Sequence, residues 1–194
     1  MAPILVRLSA FNFLALLATF VVGVVSFLRG SRTNPEDSTY LLHVYLALIS
    51  LTTNLGVHCL VFIYFLGTGR WVKEVALAYR MPDYPLPRQT RDLKRGTFPP
   101  ALLAMLVPIA ALAAGAGAAT RNWPWGYHAA LAVASLLVNA WAFRIEYRNV
   151  RVNAGVLDAV LREVDRIRAE RGLPPNAEAL RQEEALADRR RGGG

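Results

Sequence analysis

Two histidines, His43 and His128, head the same pattern. His43-Val-Tyr-Leu46-Ala47-Leu-Ile-Ser50-Leu51-Thr-Thr-Asn54 and His128-Ala-Ala-Leu131-Ala132-Val-Ala-Ser135-Leu136-Leu-Val-Asn139 both read H-x-x-L-A-x-x-S-L-x-x-N, 85 residues apart. Two imidazoles brought together from different helices can supply both axial ligands of a b-type haem. Ala47, Ala129, Ala130 and Ala132 would leave room for the macrocycle, and Arg29, Arg32 and Arg121 are candidate partners for its propionates. The plain alternative is that each histidine packs between helices and hydrogen-bonds a carbonyl or a serine. Quinone or lipid binding is a third use of the same groups.

His43, Ala47, Ser50, Asn54 and His58 are spaced 4, 3, 4 and 4, which puts all five on one helix face. The counterpart of His58 is Phe143, so no second haem with the same ligation is expected in one chain. Ser50, Asn54, Ser135 and Asn139 read as packing groups. Hydrogen bonds between apolar helices contribute about 0.6–2 kcal/mol each and fix register, which a Leu/Ala surface would not. Thr52 and Thr53 read as bonding back to their own helix.

The elements that carry these residues are long apolar runs, at about Leu5–Leu28, Leu41–Phe65, Pro99–Ala119 and Trp125–Phe143. The chain has 194 residues and is 54% hydrophobic, and no acidic residue interrupts any of the four runs. Each run can cross a hydrocarbon layer about 30 Å thick. The first is too long for a signal-peptide core and lacks a small-residue cleavage pattern, so it reads as a retained helix. The expected fold class is an all-α integral membrane protein: four transmembrane helices from a duplicated two-helix hairpin, plus cytosolic amphipathic helices. Ala15–Ala18 and Ala101–Ala104 share A-L-L-A at an offset of 86, in keeping with the repeat.

Of the 22 basic residues, nineteen lie on one side of these spans, in the segment after the second run, in the tail and at Arg7. Arg29, Arg32 and Arg121 lie on the other. The positive-inside rule therefore puts both termini in the cytoplasm. The net charge of +8 follows from that asymmetry and suits anionic lipid headgroups better than nucleic acid. The excess of Arg over Lys and the abundant Ala fit a bacterial inner membrane protein.

The expected divisions are a first transmembrane hairpin (1–66), a cytosolic amphipathic helix with a proline-rich connector (67–98), a second hairpin (99–148), a cytosolic helical extension (149–175) and a charged tail (176–194). Asn34-Pro35-Glu36-Asp37 and Asn122-Trp123-Pro124 read as helix starts, with Asn as cap. Thr97-Phe98-Pro99-Pro100 reads as the opening of the third helix, and Pro108 should kink it. Tyr40, Tyr45, Trp123, Trp125 and Tyr127 would mark the outer interface. Leu157, Val160, Leu161, Val164 and Ile167 give the extension an apolar stripe, suited to packing within the chain or against a partner.

Enzyme signatures are missing: there is no H-E-x-x-H, G-x-S-x-G or phosphate-binding glycine loop. Arg144 and Glu146 read as an interfacial pair at the cytosolic edge, leaving no histidine–carboxylate site, and Cys59 as a small packing residue. The first reading of function is thus a non-enzymatic membrane accessory or assembly subunit, bound to lipids and to a membrane partner or a second copy. The second is a bis-histidine haem b electron carrier, and the third quinone or lipid binding.

Overall fold

In the computed structural model, residues 1–31, 34, 36–83 and 85–192 are described. Arg32 and Pro35 therefore lie outside the described residues. Every regular element is helical: α1 (Ala2–Leu28), α2 (Ser38–Tyr79), α3 (Leu86–Thr120), α4 (Trp125–Glu170) and α5 (Asn176–Gly192). The first four are long and apolar enough to cross a membrane.

The helix starts differ from those expected. The cap of α2 is Asp37, whose Oδ1 accepts from the Thr39 and Tyr40 amides at 2.8 and 3.1 Å. Asn34 makes the preceding turn, accepting from the Glu36 amide at 3.0 Å. Asn122 sits at φ +53°, a left-handed turn position that Asn tolerates, and α4 begins only after Pro124. The third helix does not open at Thr97-Phe98-Pro99-Pro100. It starts eleven residues earlier at Leu86 and runs straight through both prolines and Pro108. Each interior proline removes one intrahelical donor; the helix survives where its freed carbonyls find other partners. The 46-residue α4 runs on without a break, as expected, and stops at Gly172, which has φ +69° and is followed by Pro174.

The chain divides into two compact units. The first comprises Met1–Leu66 and Leu93–Arg151. Its apolar core is Leu5, Val57, Val61, Phe65 and Val150, with Phe98 and Phe143 packed against them. Leu16, Ala101, Ala104, Ala111, Ala114 and Ala142 are buried as well, and so are the polar Asn12, Ser50, Asn54, His58, Ser135, Asn139, Glu146 and Asn149. Its outer surface carries Phe11, Leu14, Ile63 and Leu137, each more than half exposed. Apolar groups outside and polar groups inside reverse the usual arrangement in water.

The second unit comprises Gly67–Asp92 and Val152–Gly194. Val72 and Ala76 on α2 and Val156, Val160 and Val164 on α4 are buried in it. Asn153 Nδ2 donates to Thr68 Oγ1 at 3.0 Å, and Arg168 Nη1 to the Tyr79 hydroxyl at 3.2 Å. Asn153, Val156, Val160 and Val164 of α4 are buried here; of the expected stripe Val160 and Val164 are among them, Leu157 and Ile167 are half-buried, and Leu161 is exposed.

Candidate functional site

The first unit holds all three histidines, in two different settings. His43 Nδ1 donates to the Thr19 carbonyl on α1 at 3.0 Å. One turn further along α1 lies Gly23, where a Cβ would come within 2.7 Å of the imidazole Cε1. His128 repeats this against α3. Its Nδ1 donates to the Ala111 carbonyl at 2.8 Å, and a Cβ on Gly115 would come within 2.9 Å of its Cε1. Each ring thus sits on a carbonyl and, four residues on, a glycine. Only glycine allows so close an approach.

These seats, Thr19/Gly23 and Ala111/Gly115, are 92 residues apart. The A-L-L-A match at 86 pairs the first helices one and a half turns out of this register. The His43 and His128 ring centroids are 5.9 Å apart, with ring planes at 79°. Because a carbonyl only accepts, each Nδ1 carries the hydrogen and each Nε2 of the neutral ring keeps its lone pair. Both rings are half-buried.

The proposed propionate partners are less well placed. Arg29 is exposed and donates from Nη1 to Thr39 Oγ1 at 3.0 Å. Arg121 is exposed, and Arg32 lies outside the described residues.

His58, four turns along α2 from His43, has both nitrogens engaged. Its Nδ1 lies 2.6 Å from Glu146 Oε1, and both side chains are completely buried. Its Nε2 lies 3.0 Å from Asn139 Oδ1. The orientation of Asn139 is fixed by its own donors: Nδ2 gives hydrogens to the Ser135 carbonyl at 2.9 Å and the Ala104 carbonyl at 3.3 Å. Its Oδ1 therefore faces His58, and His58 Nε2 must carry a hydrogen. The 2.6 Å contact to Glu146 needs a further hydrogen, since two bare acceptors would repel. The pair thus shares one proton there and has no net charge. Phe143 stacks on the His58 ring at 5.0 Å. Glu146 is therefore no interfacial partner of Arg144, which is exposed. The histidine–carboxylate pair absent from the linear motifs is assembled from α2 and α4, 88 residues apart.

Between the two histidine settings, Pro108 explains the asparagines. It has no N–H, so the Ala104 carbonyl four residues earlier loses its helical partner. Asn54 Nδ2 donates to that carbonyl at 2.9 Å, and Asn139 Nδ2 donates to it as well. Side chains from neighbouring helices re-satisfy the backbone group that the proline frees. Asn54 and Asn139 thus meet on a carbonyl rather than on each other.

Asn12, which the sequence reading passed over, completes the layer. Its Nδ2 donates to Asn54 Oδ1 at 2.9 Å, and its Oδ1 accepts from Thr53 at 2.9 Å. The signal for Asn12 was its being an amide inside an otherwise apolar first run. Ser50 also bridges helices, accepting from Thr19 Oγ1 at 3.2 Å. Ser135 does not: it bonds back to the Leu131 carbonyl of its own helix at 2.7 Å.

Cys59 is exposed rather than packed. Among the described residues no three His, Cys, Asp or Glu side chains converge as a metal cluster. The arrangement can thus do two things: present two free imidazole nitrogens at His43 and His128, and hold a proton between His58 and Glu146. Comparison with protein-family models, curated proteins and solved structures finds no match for this chain.

Proposed function

We propose that this chain is an integral membrane electron carrier that holds a b-type haem between His43 and His128. One observation carries the reading: the two rings are seated alike and have free Nε2 atoms, with centroids 5.9 Å apart. Two imidazoles bound to one ion at about 2.0–2.1 Å per nitrogen have ring centres about 6 Å apart. A backbone carbonyl on Nδ1 is the usual outer partner of a ligating histidine. It fixes the tautomer and makes Nε2 a stronger donor. Both rings are half-buried, and the small Ala47, Ala129 and Ala132 share the two helices that carry them. When bound, the haem supplies a one-electron ferric–ferrous couple. The chain holds the rings in register and screens the interior with an apolar surface.

The apolar exterior and polar interior support membrane insertion. The distribution of Arg and Lys supports cytoplasmic termini in a bacterial inner membrane. The matching carbonyl–glycine seats support a likeness between the two hairpins, at an offset that the A-L-L-A match does not share.

The test is a reduced-minus-oxidised absorption spectrum of the protein made in haem-sufficient cells and purified in mild detergent. A Soret shift with a sharp α-band is expected, lost in both His43→Ala and His128→Ala. A flat spectrum from a fully helical protein would overturn the reading. The chain would then be better described as an accessory or assembly subunit for a membrane partner, a reading favoured by how many of its buried polar groups serve only helix packing.

A further inference from the structure

We propose that His58 and Glu146 form a proton-binding site in the bundle interior, which takes up a proton on Glu146 Oε2 beyond the one held in their contact. This does not depend on the haem. His58 and Glu146 are completely buried, and their 2.6 Å contact already contains one proton. His58 cannot release its other hydrogen to the carboxylate, because Asn139 holds it on Nε2. Of the four polar atoms in the pair, three are engaged. The fourth, Glu146 Oε2, is buried and has no hydrogen-bond partner among the described residues. A buried carboxylate oxygen left bare is costly. A proton is the simplest group that can occupy it, turning the bare acceptor into a hydroxyl. Uptake from hydronium forms one O–H bond at Oε2, leaves water behind and breaks no bond in the protein; it takes the pair from zero net charge to +1, a buried charge that costs free energy, so uptake is driven by acid. His58 is then an imidazolium and Glu146 a carboxylic acid.

The surroundings leave Glu146 as the group that must respond. On α4 the nearest charges, Arg144 and Arg148, are exposed. On α2, Tyr64 directs its hydroxyl to the Val150 carbonyl at 3.5 Å. On α1 the core neighbour is Leu5, and Arg7 is exposed. On α3, Thr97, Ala101 and Ala104 are buried, and Lys94, one turn before Thr97, is half-buried. The polar stripe continues one turn beyond Glu146 at buried Asn149, whose Oδ1 accepts from Arg148 at 3.3 Å.

The experiment is infrared difference spectroscopy of the whole chain in phosphatidylcholine nanodiscs over a descending pH series. Helical content is followed in parallel. A reversible carboxylic-acid carbonyl band is expected, shifted by deuterium exchange and missing in Glu146→Gln. Because that variant can fail to fold, the wild-type protein labelled with ¹⁵N-histidine gives a second readout. With three histidines in the chain, the His58 resonances are assignable. They should show a hydrogen on Nε2 throughout and an imidazolium once the band has appeared. No such band down to the pH at which helicity is lost would overturn the proposal. So would a band that appears as His58 turns neutral, since the pair would then only relocate its one proton. Neither outcome bears on the haem spectrum, so the two proposals fail separately.

Discussion

The three histidines of this chain fall into two settings, about 22 Å apart along α2. His43 and His128 are half-buried, and each spends one nitrogen on a carbonyl and keeps the other free. His58 is completely buried and spends both. The difference lies in what the second nitrogen meets. A ring with a lone pair to spare has bonding capacity for a ligand. A ring with both nitrogens engaged has none, and the proton in its contact with a buried carboxylate is one that the two groups share. Spacing on the helix face treats the histidines of α2 as equals; their partners on α1, α3 and α4 separate them.

The largest effect that would test this contrast is on stability. His58→Ala or Glu146→Ala strands the other member of a buried pair, which costs about 3–5 kcal/mol. The double change His58→Leu with Glu146→Met removes both and should recover most of that loss. His43→Ala gives up one hydrogen bond at a half-buried site, worth about 1 kcal/mol. Reversible unfolding in mixed micelles measures all four. If His58→Ala cost no more than His43→Ala, the two settings would be energetically alike and the distinction would collapse.

How much of this could be read in the sequence depends on range. The four apolar helices were legible because hydrophobic runs and their lengths are local properties. The shared motif picked out His43 and His128, but that their rings lie 5.9 Å apart comes from the packing of the helices. The start of α3 was misread because Pro99-Pro100 looks like a boundary. The donors that two prolines remove are few beside those of a 35-residue helix. Glu146 was misread for a different reason. At the end of an apolar run a carboxylate ordinarily faces water or headgroups, and nothing within α4 reveals that His58 waits on α2. Ala104 could not have been singled out at all. Its importance comes from Pro108 four residues later, together with two amides on other helices.

The glycine seats sharpen the comparison from the other side. Gly23→Ala and Gly115→Ala each push a methyl group into an imidazole ring, an overpacking cost of about 1–3 kcal/mol. They should also displace the rings and abolish the haem spectrum while leaving the His58 resonances unmoved. Gly56 serves as the control. It lies inside the same helix as His43 and His58, and a Cβ there would meet nothing within 4 Å. Gly56→Ala should therefore be stabilising by about 0.5–1 kcal/mol, from helix propensity alone. Equal losses at Gly23 and Gly56 would mean that the close approach to His43 carries no energetic weight.

Between the two settings, the Ala104 carbonyl offers a smaller and more specific effect. Asn54→Leu removes one of its two donors and should cost about 0.6–2 kcal/mol. Pro108→Ala restores a backbone N–H that can bond the same carbonyl. In that background Asn54→Leu should cost less, and the shortfall is the coupling energy of the cycle. If Asn54→Leu cost the same with or without Pro108, the asparagines would be packing groups with no tie to the proline.

The smallest effect is confined to the first turn of α2, and it reaches only one of the histidine settings. Asp37 is held below its ordinary value of 3.8 by the hydrogen bond from Ser31 and then by the Tyr40 amide. A carboxylate with a depressed folded value contributes stability that is complete above its unfolded value and lost as pH falls through the lower, folded one. The Asp37 cap should therefore hold at neutral pH and loosen only in acid, below 3.8. Amide hydrogen exchange at Thr39 and Tyr40 reads this directly, once the intrinsic acid dependence is divided out. Asp37→Asn keeps an acceptor and should remove the pH dependence while preserving protection. Asp37→Ala should lose protection at every pH. His43 lies six residues from the cap and His58 a further fifteen. Acid fraying should consequently broaden the His43 signals well before it touches His58. Simultaneous loss of both would mean that α2 melts as one unit, and the two settings would then share a single fate despite their different chemistry.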